Sequence, residues 1–425
     1  MTDLAWIEAA ITSARPQAMA ALLRYFRDLD TAEEAFQEAC LRALQRWPQQ
    51  GPPRDPTAWL ILVGRNFALD EVRERRKHVE LPPDEVLSDL EDAETPLAER
   101  LDNSHYRDDV LRLLFICCHP DLPATQQIPL ALRVVSGLSV QEIARAFLVT
   151  EAAMEQRITR AKRRIAQADV PFETPGAPER AQRLGVVAAM IYLVFNEGYS
   201  ATGGEEHVRA GLCEEAIRLA RLLLRLFSSE PEIMGLLALM LLQHSRTAAR
   251  LDAEGAIVLL EDQDRSRWDE EMIAEALALI DKALRHRQPG PYQLQAAIAS
   301  VHAHAARAED TDWNEIDQLY GVLERLQPSP VVTLNRAVAV SKAHGAEAAL
   351  SMLEPLADAL AGYFHYYGVK GALLMQLGRD EDARVAFNCA ISLAHTAAEA
   401  AHIRMHLDRL EDNARQAPAR SARRR

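Results

Sequence analysis

The strongest signal along this chain is an apolar position every three or four residues, the period of a helix with one buried face. It is clearest between Ser139 and Ile165, where Val140, Ile143, Ala144 and Phe147 share one face of a first helix. Met154, Ile158, Ala161 and Ile165 then line a second helix at spacings of four, three and four. Thr150 stands where a side-chain oxygen can cap the second helix, and Arg157, Arg160 and Arg164 project from the side away from its stripe. Two short helices of this kind predict a helix-turn-helix with a basic reading helix. Such a helix fits the major groove of DNA, where arginine pairs with a guanine edge or neutralises a phosphate. An ordinary helical hairpin with a solvated basic face presents the same pattern.

Upstream, TAEEAFQEACLRALQRW places Phe36, Cys40, Ala43 and Trp47 on an inward stripe. Glu34, Gln37, Glu38 and Leu41 share the outer, acidic and partly apolar face, which suits a partner helix, although a solvated face with one stray leucine is equally common. The Pro and Gly cluster in PQQGPPRDPTAWL predicts a loop, and Asp55 followed by Pro56 a helix start. On the helix that follows, Trp59, Val63, Asn66, Asp70 and Arg73 recur on one side. An aromatic, an amide and an arginine there suit unpaired bases, while a core tryptophan followed by a solvated basic end is the plainer alternative. Residues 78–104 carry a proline pair and nine acidic residues with little periodicity, and read as an extended linker. DVLRLLFICC and ATQQIPLALRVVSGL supply two more helices to pack behind the helix-turn-helix, and VPFETPGAP at 170–178 ends that module.

From 179 onward the chain is long and helical with signs of a repeat. Gly371, Gly378, Ala383, Phe387 and Ala390 match the small and aromatic positions of a tetratricopeptide helix pair. Ala337, Ala349, Leu353 and Leu356 stand 34 residues before Gly371, Ala383, Phe387 and Ala390. Units around CEEAIRLARLLLRL and TDWNEIDQLYGVLERL are degenerate. Stacked helix pairs leave a concave face, so this half reads as a binding scaffold, or as a solenoid that only stabilises the rest.

The length of 425 residues allows two to four domains, and a composition with only 6% aromatics agrees with a mostly helical chain. No run is long and apolar enough to span a bilayer, and MTDLAWIEAA lacks a basic start and apolar signal core, so no membrane association and a cytoplasmic location are expected. Five cysteines, Cys40, Cys117, Cys118, Cys213 and Cys389, fall inside apolar helical patterns and are expected to be reduced and buried. Cys117, Cys118 and His119 diverge on a helix and lack a second cluster, so no metal is expected.

The net charge of -14 divides into 0 over 1–77, -8 over 78–104, +2 over 105–170 and -8 over the remainder. Acid is concentrated away from the reading helix, and local charge decides nucleic-acid affinity. The strings FNEGYSATGGEEH, LEDQDRSRW and GPYQLQAAIASVHAH contain Glu197, Glu206, His207, His302 and His304, which assemble into an acid-base site only on paper. Nucleophile and phosphate-loop signatures are absent, so neither catalytic residues nor a cofactor are expected. The closing ARQAPARSARRR reads as a disordered basic tail.

Taken together, DLDTAEEAFQEACLRAL, DPTAWLILVGRNFALDEVRERR, the acidic linker and GLSVQEIARAFLVTEAAMEQRITRAKRRI resemble the extracytoplasmic-function (ECF) sigma factors of the sigma-70 family. The rest, with FNEGYSATGG, LLEDQDRSRWD and GPYQLQAAIA, is similar to the group that carries a tetratricopeptide-type extension. The resemblance implies an all-α chain: sigma region 2 over 1–77, the linker over 78–104, sigma region 4 over 105–170, a repeat domain over 179–412 and the tail over 413–425. It implies that Glu34, Gln37 and Glu38, beside Leu41, grip a coiled coil of core RNA polymerase. Trp59, Asn66, Asp70, Arg73 and Arg76 fall where the minus-10 strand is captured. Arg157 and Arg160, on the helix that Thr150 caps and Arg164 extends, fall where the minus-35 element is read. Expected partners are therefore core polymerase, promoter DNA and a regulatory protein on the repeat domain. The alternative is a repeat-containing helix-turn-helix regulator that recruits polymerase without replacing sigma. Two departures from the family pattern stand out: Leu148 replaces a turn glycine, and Glu155 replaces a basic position.

Overall fold

The computed structural model describes residues 5–51, 53–76, 103–119, 121–147, 149–167, 177–199, 206–252, 258–394 and 399–410. The regular structure there is helical, with no sheet, as the periodicity predicts. Two compact units divide the chain, one of Met1–Gly198 with Val208–Leu219, the other of Tyr199–His207 with Ala220–Arg425. Residues 78–102 of the expected linker, the tail and Leu148 lie outside the described residues, while Asn103 and Ser104, counted with the linker, begin a helix.

The first unit begins with three helices, α1 (Ala5–Phe26), α2 (Leu29–Gln50) and α3 (Pro56–Arg76). Arg27, at φ 55°, makes the reversal between α1 and α2, and the Asp28 carboxylate then accepts from the Thr31 N–H at 2.8 Å to start α2. At the head of α3 the Asp55 carboxylate accepts from the N–H groups of Thr57 and Ala58 at 2.9 and 3.1 Å, as the Asp-Pro pair predicts. Phe36, Ala43 and Trp47 are buried along α2, while Cys40 is only half-buried, and so is Cys389 in the second unit. Burial pushes the Cys40 thiol up to about 11.

The unit continues with α4 (Asn103–Cys117), α5 (Ala124–Ala131), a π-helical turn over Leu132–Ser136, α6 (Val140–Ala146) and α7 (Glu151–Gln167). Two further helices, α8 (Ala177–Tyr199) and α9 (Glu206–Leu226), follow the Pro and Gly break. Although the sequence breaks before α8, that helix packs with this first unit. Arg183, only 4% exposed, lays its guanidinium 4.5 Å from the Phe115 ring centre, and the Cys213 thiol donates to the Phe195 carbonyl.

The second unit is built on α10 (Pro231–His244), whose residues from Ile233 to Leu242 are all buried. A helix apolar on every side requires neighbours all round; here they include α11 (Glu270–Leu284) and α12 (Pro291–His304). Then come α13 (Trp313–Leu326), α14 (Pro330–His344), α15 (Ala346–Leu353), α16 (Phe364–Gln376) and α17 (Asp380–Leu393). The last four form the two helix pairs that the 34-residue spacing predicts, with Ala337, Ala349, Leu353, Ala383, Phe387 and Ala390 all at 0% exposure. Leu356 departs from the pattern: α15 stops at Leu353 and a 3-10 turn carries Pro355, leaving Leu356 half-buried.

Gly371 lets α16 approach α17. A Cβ built there would sit 2.6 Å from Phe387 ring carbons, far inside contact distance. Gly371→Ala is expected to destabilise the second unit by about 1–3 kcal/mol through overpacking, read as a lower urea midpoint.

Candidate nucleic-acid interface

The reading helix α7 forms for local reasons. The Ser139 hydroxyl and Glu142 carboxylate make a reciprocal capping box at the head of α6, with the hydroxyl accepting from the Glu142 N–H at 3.1 Å and the carboxylate from the Ser139 N–H at 2.7 Å. The Ser139 hydroxyl, which donates to the Glu142 carboxylate at 2.7 Å, and then the Ser139 N–H hold that carboxyl below its usual range. Thr150 caps α7, its hydroxyl accepting from the Ala153 N–H at 3.3 Å. All four predicted inward residues, Met154, Ile158, Ala161 and Ile165, are buried. Arg157 is half-buried, and Arg160, Arg163 and Arg164 are exposed. Among the described residues none of these four has a carboxylate within 4.0 Å, and Arg160 donates only to the Gln156 side chain at 3.4 Å. Glu155 is exposed on the same helix.

Lys162, one turn from those arginines, behaves differently. It is turned toward α2, where its ammonium pairs with Asp30 at 2.7 Å and with Glu33. Burial alone would lower the Lys162 ammonium, but the Glu33 charge and the hydrogen bonds that the ammonium donates to both carboxylates outweigh burial and raise it. Glu33 is 5% exposed and also has the Arg15 and Arg133 guanidiniums at 3.9 and 3.7 Å. Arg15 donates onward to the carbonyls of Val134 and Arg133, both at 3.1 Å, at the π-helical turn. Its guanidinium also lies 4.8 Å from the Phe36 ring centre. Gly137, at φ 80°, ends that turn, and a Cβ there would meet the Arg15 side chain at 2.8 Å. A second buried carboxylate, Asp109, binds Arg24 at 3.0 Å and Arg112 at 3.2 Å. Ion pairs around two buried acids thus clasp α1 and α2 to α4, the π-helical turn and α7.

On the outer face of α2, Glu34, Gln37 and Leu41 are exposed, and Glu38 is half-buried against Arg42 at 3.1 Å. Leu44, 46% exposed and three residues beyond Leu41, extends the apolar part of that face. The sequence reading missed it, although its helical spacing from Leu41 was available.

On α3 the structure corrects one expectation. Trp59 is 8% exposed, edge to face with Trp47 at 5.3 Å, so its indole supports the helix from within and is not presented to bases. Asn66 is half-buried. Asp70, Arg73 and Arg76 lie on α3, and their side chains are outside the described residues.

The paper assembly of acids and histidines does not form as imagined. His302 and His304 line different cavities, and His304 contacts the Ser300 carbonyl through Nδ1 at 2.8 Å. The side chains of Glu206 and His207 are outside the described residues.

A capped helix-turn-helix with unpaired arginines, joined to a three-helix module with an acidic and apolar outer face, defines a promoter-recognition factor. Comparison with known proteins agrees. Residues 10–78 match sigma-70 region 2, residues 112–165 match sigma-70 region 4, and residues 183–284 match a family of unknown function (DUF6596). The Rhizobium meliloti protein R00370, described as uncharacterized, is 70% identical over 410 residues, 96% of this chain and 97% of its own. The ECF RNA polymerase sigma factor BldN of Streptomyces coelicolor is 35% identical over 143 residues, 32% of this chain and 50% of its own. The chain belongs to the ECF sigma factors of the sigma-70 family and carries a helical C-terminal extension. Membership implies binding to core RNA polymerase and promoter DNA.

The Glu33 cluster yields a direct test. Glu33→Gln leaves three cations around a neutral amide and is expected to cost about 3–5 kcal/mol of stability in the first unit, measured by urea unfolding at pH 7. Because Lys162 is raised in the folded chain, its share is fully present at neutral pH and is lost only as pH rises through that raised value.

Proposed function

We propose that this chain directs promoter-specific initiation by core RNA polymerase from the cytoplasm, without catalysing chemistry itself. The outer face of α2, with Glu34, Gln37, Glu38 and Leu41, docks on a polymerase helix. The C-terminal part of α3, with Asn66, Asp70, Arg73 and Arg76, meets the opened minus-10 strand. Helix α7 reads the minus-35 element through Arg157 and Arg160, with Arg164 on phosphate and Thr150 holding the start of the helix. The observation that carries this reading is the α7 surface, where four arginines without acidic partners lie opposite a fully buried stripe. Glu155 on the same helix opposes any phosphate beside it.

The extension beyond the first unit regulates this activity, a reading supported by its size and its helix pairs.

Two outcomes test this function. Arg157→Ala and Arg160→Ala are each expected to weaken minus-35 discrimination by about 1–3 kcal/mol in run-off transcription with core polymerase. Unchanged promoter choice in both would remove the groove assignment. Cutting the chain after Leu226, at the end of the helix whose Val208–Leu219 part belongs to the first unit, is expected to change transcript yield or promoter choice. Equal output from both chains would remove the regulatory role.

A further inference from the structure

Two strings that promoter reading leaves unexplained converge in the second unit. LEDQDRSRW and the helix of GPYQLQAAIASVHAH, together with α13 and α14, enclose a cavity of about 710 Å³. That volume lies within the range of small-molecule sites. The first string is held in shape by its own chemistry. The Asp264 carboxylate accepts from the Ser266 N–H at 3.0 Å, the Gln263 amide donates to the Val258 carbonyl at 3.1 Å, and Trp268 is buried. Arg265 then reaches across to the end of α12, donating to the carbonyls of His302 and Ala305 and to the Thr311 hydroxyl. The wall between the strings is thus built, since its guanidinium satisfies the open carbonyls at a helix end.

Inside, Ile298, Ile316, Val338 and the Trp313 ring supply an apolar body. The His302 imidazole stands edge-on to Trp313, with ring centres 5.2 Å apart. Neither ring nitrogen of His302 has a hydrogen-bond partner among the described residues, and neither is sealed from solvent. Burial first, then the charges of Arg246 and Arg265, push this imidazole down to about 4, so at neutral pH it is uncharged and offers one N–H and one acceptor. The same two arginines bring positive charge to the His302 side of the cavity. Asn335, exposed on α14, adds an amide with no hydrogen-bond partner among the described residues.

The cavity lining carries three acids, Glu261, Asp262 and Glu309, and two bases, Arg265 and Lys342. Glu261 is held by Lys342 at 2.6 Å, Glu309 by Arg307 at 2.7 Å, and Asp262 is exposed. The seat for a cation over Trp313 is already taken, because the Lys342 ammonium lies 6.0 Å from its ring centre. An incoming amine would compete with Lys342 for both ring and carboxylate. An incoming carboxylate finds the donors of His302 and Asn335, beside the Lys342 ammonium that Glu261 already holds.

We propose that this cavity binds a small organic acid with a flat apolar body, its carboxylate toward His302, Asn335 and Lys342 and its body against Trp313 and Ile298. Resting on the regulatory reading of the extension above, the occupant is the signal to which the sigma factor responds.

The test uses the full chain and three probes of one shape and different charge: 2-naphthoate, 2-naphthamide and 2-naphthylmethylamine. Calorimetric titration at pH 7 is expected to show naphthoate binding at least about tenfold more tightly than the other two, about 1.4 kcal/mol. His302→Phe and Lys342→Gln, each verified to unfold at the parent temperature, are each expected to weaken naphthoate about tenfold. Equal affinity for the three probes, preference for the amine, or no binding by any of them would overturn the proposal. So would displacement of naphthoate by an uncharged apolar peptide that binds more tightly, since the occupant would then be a peptide. Run-off transcription with saturating naphthoate separates the two levels. Tight, charge-selective binding without any change in transcript yield would keep the cavity's ligand class and remove the regulatory reading instead.

Discussion

A carboxylate on the inward face of a helix is costly unless cations come to it, and Glu33 sets that condition for the first unit. Arg15, Arg133 and Lys162 arrive from α1, from the π-helical turn and from α7, separate parts of the chain that share no local reason to meet. Buried ion pairs of this sort add little net stability compared with a well-packed apolar core, because both partners lose water. Their effect is on uniqueness: once Glu33 is buried, an arrangement that fails to deliver its cations strands a charge. Arg15 extends the constraint by donating to two backbone carbonyls of the turn, which fixes where the helix-turn-helix sits on α1.

The same constraint divides the basic residues of the reading helix. Lys162 is committed to acids within the protein, while Arg157, Arg160, Arg163 and Arg164 have no such commitment. A helix that spent every cation on internal acids could not exchange condensed counterions for phosphate contacts, the main source of affinity for DNA. The overall charge of -14 is therefore a poor guide to nucleic-acid binding in this chain. What matters is that the arginines stand unpaired on one face.

The second unit follows a different logic. Its helices are pairs whose small residues, above all Gly371 under Phe387, allow close approach, while one uniformly apolar helix, α10, is enclosed by its neighbours. Close packing of that kind fills the space between helices. The gap lined by Trp313, His302 and Lys342 stands out against it, since it stays open while its wall is braced by Arg265.

Much of this was legible from residue order alone, because it depends on neighbours within about a dozen positions. The helical periods of α2 and α7, the caps at Asp55 and Thr150, and the small-residue spacing of the final helix pairs are local, and the structure contains each of them. Trp59 shows the limit: periodicity put it on a face, but only packing against Trp47 shows that the face is interior. Glu33 carried a readable hint, an acid one turn before Phe36 on the inward stripe, yet its partners lie 18, 100 and 129 positions away. The cavity brings strings about 40 residues apart onto one wall, and whether His302 and His304 share a site depends on helix orientation. Short-range order follows from backbone sterics and the helical period. Which charges meet, and which space stays open, is decided only when distant segments pack and give up their water.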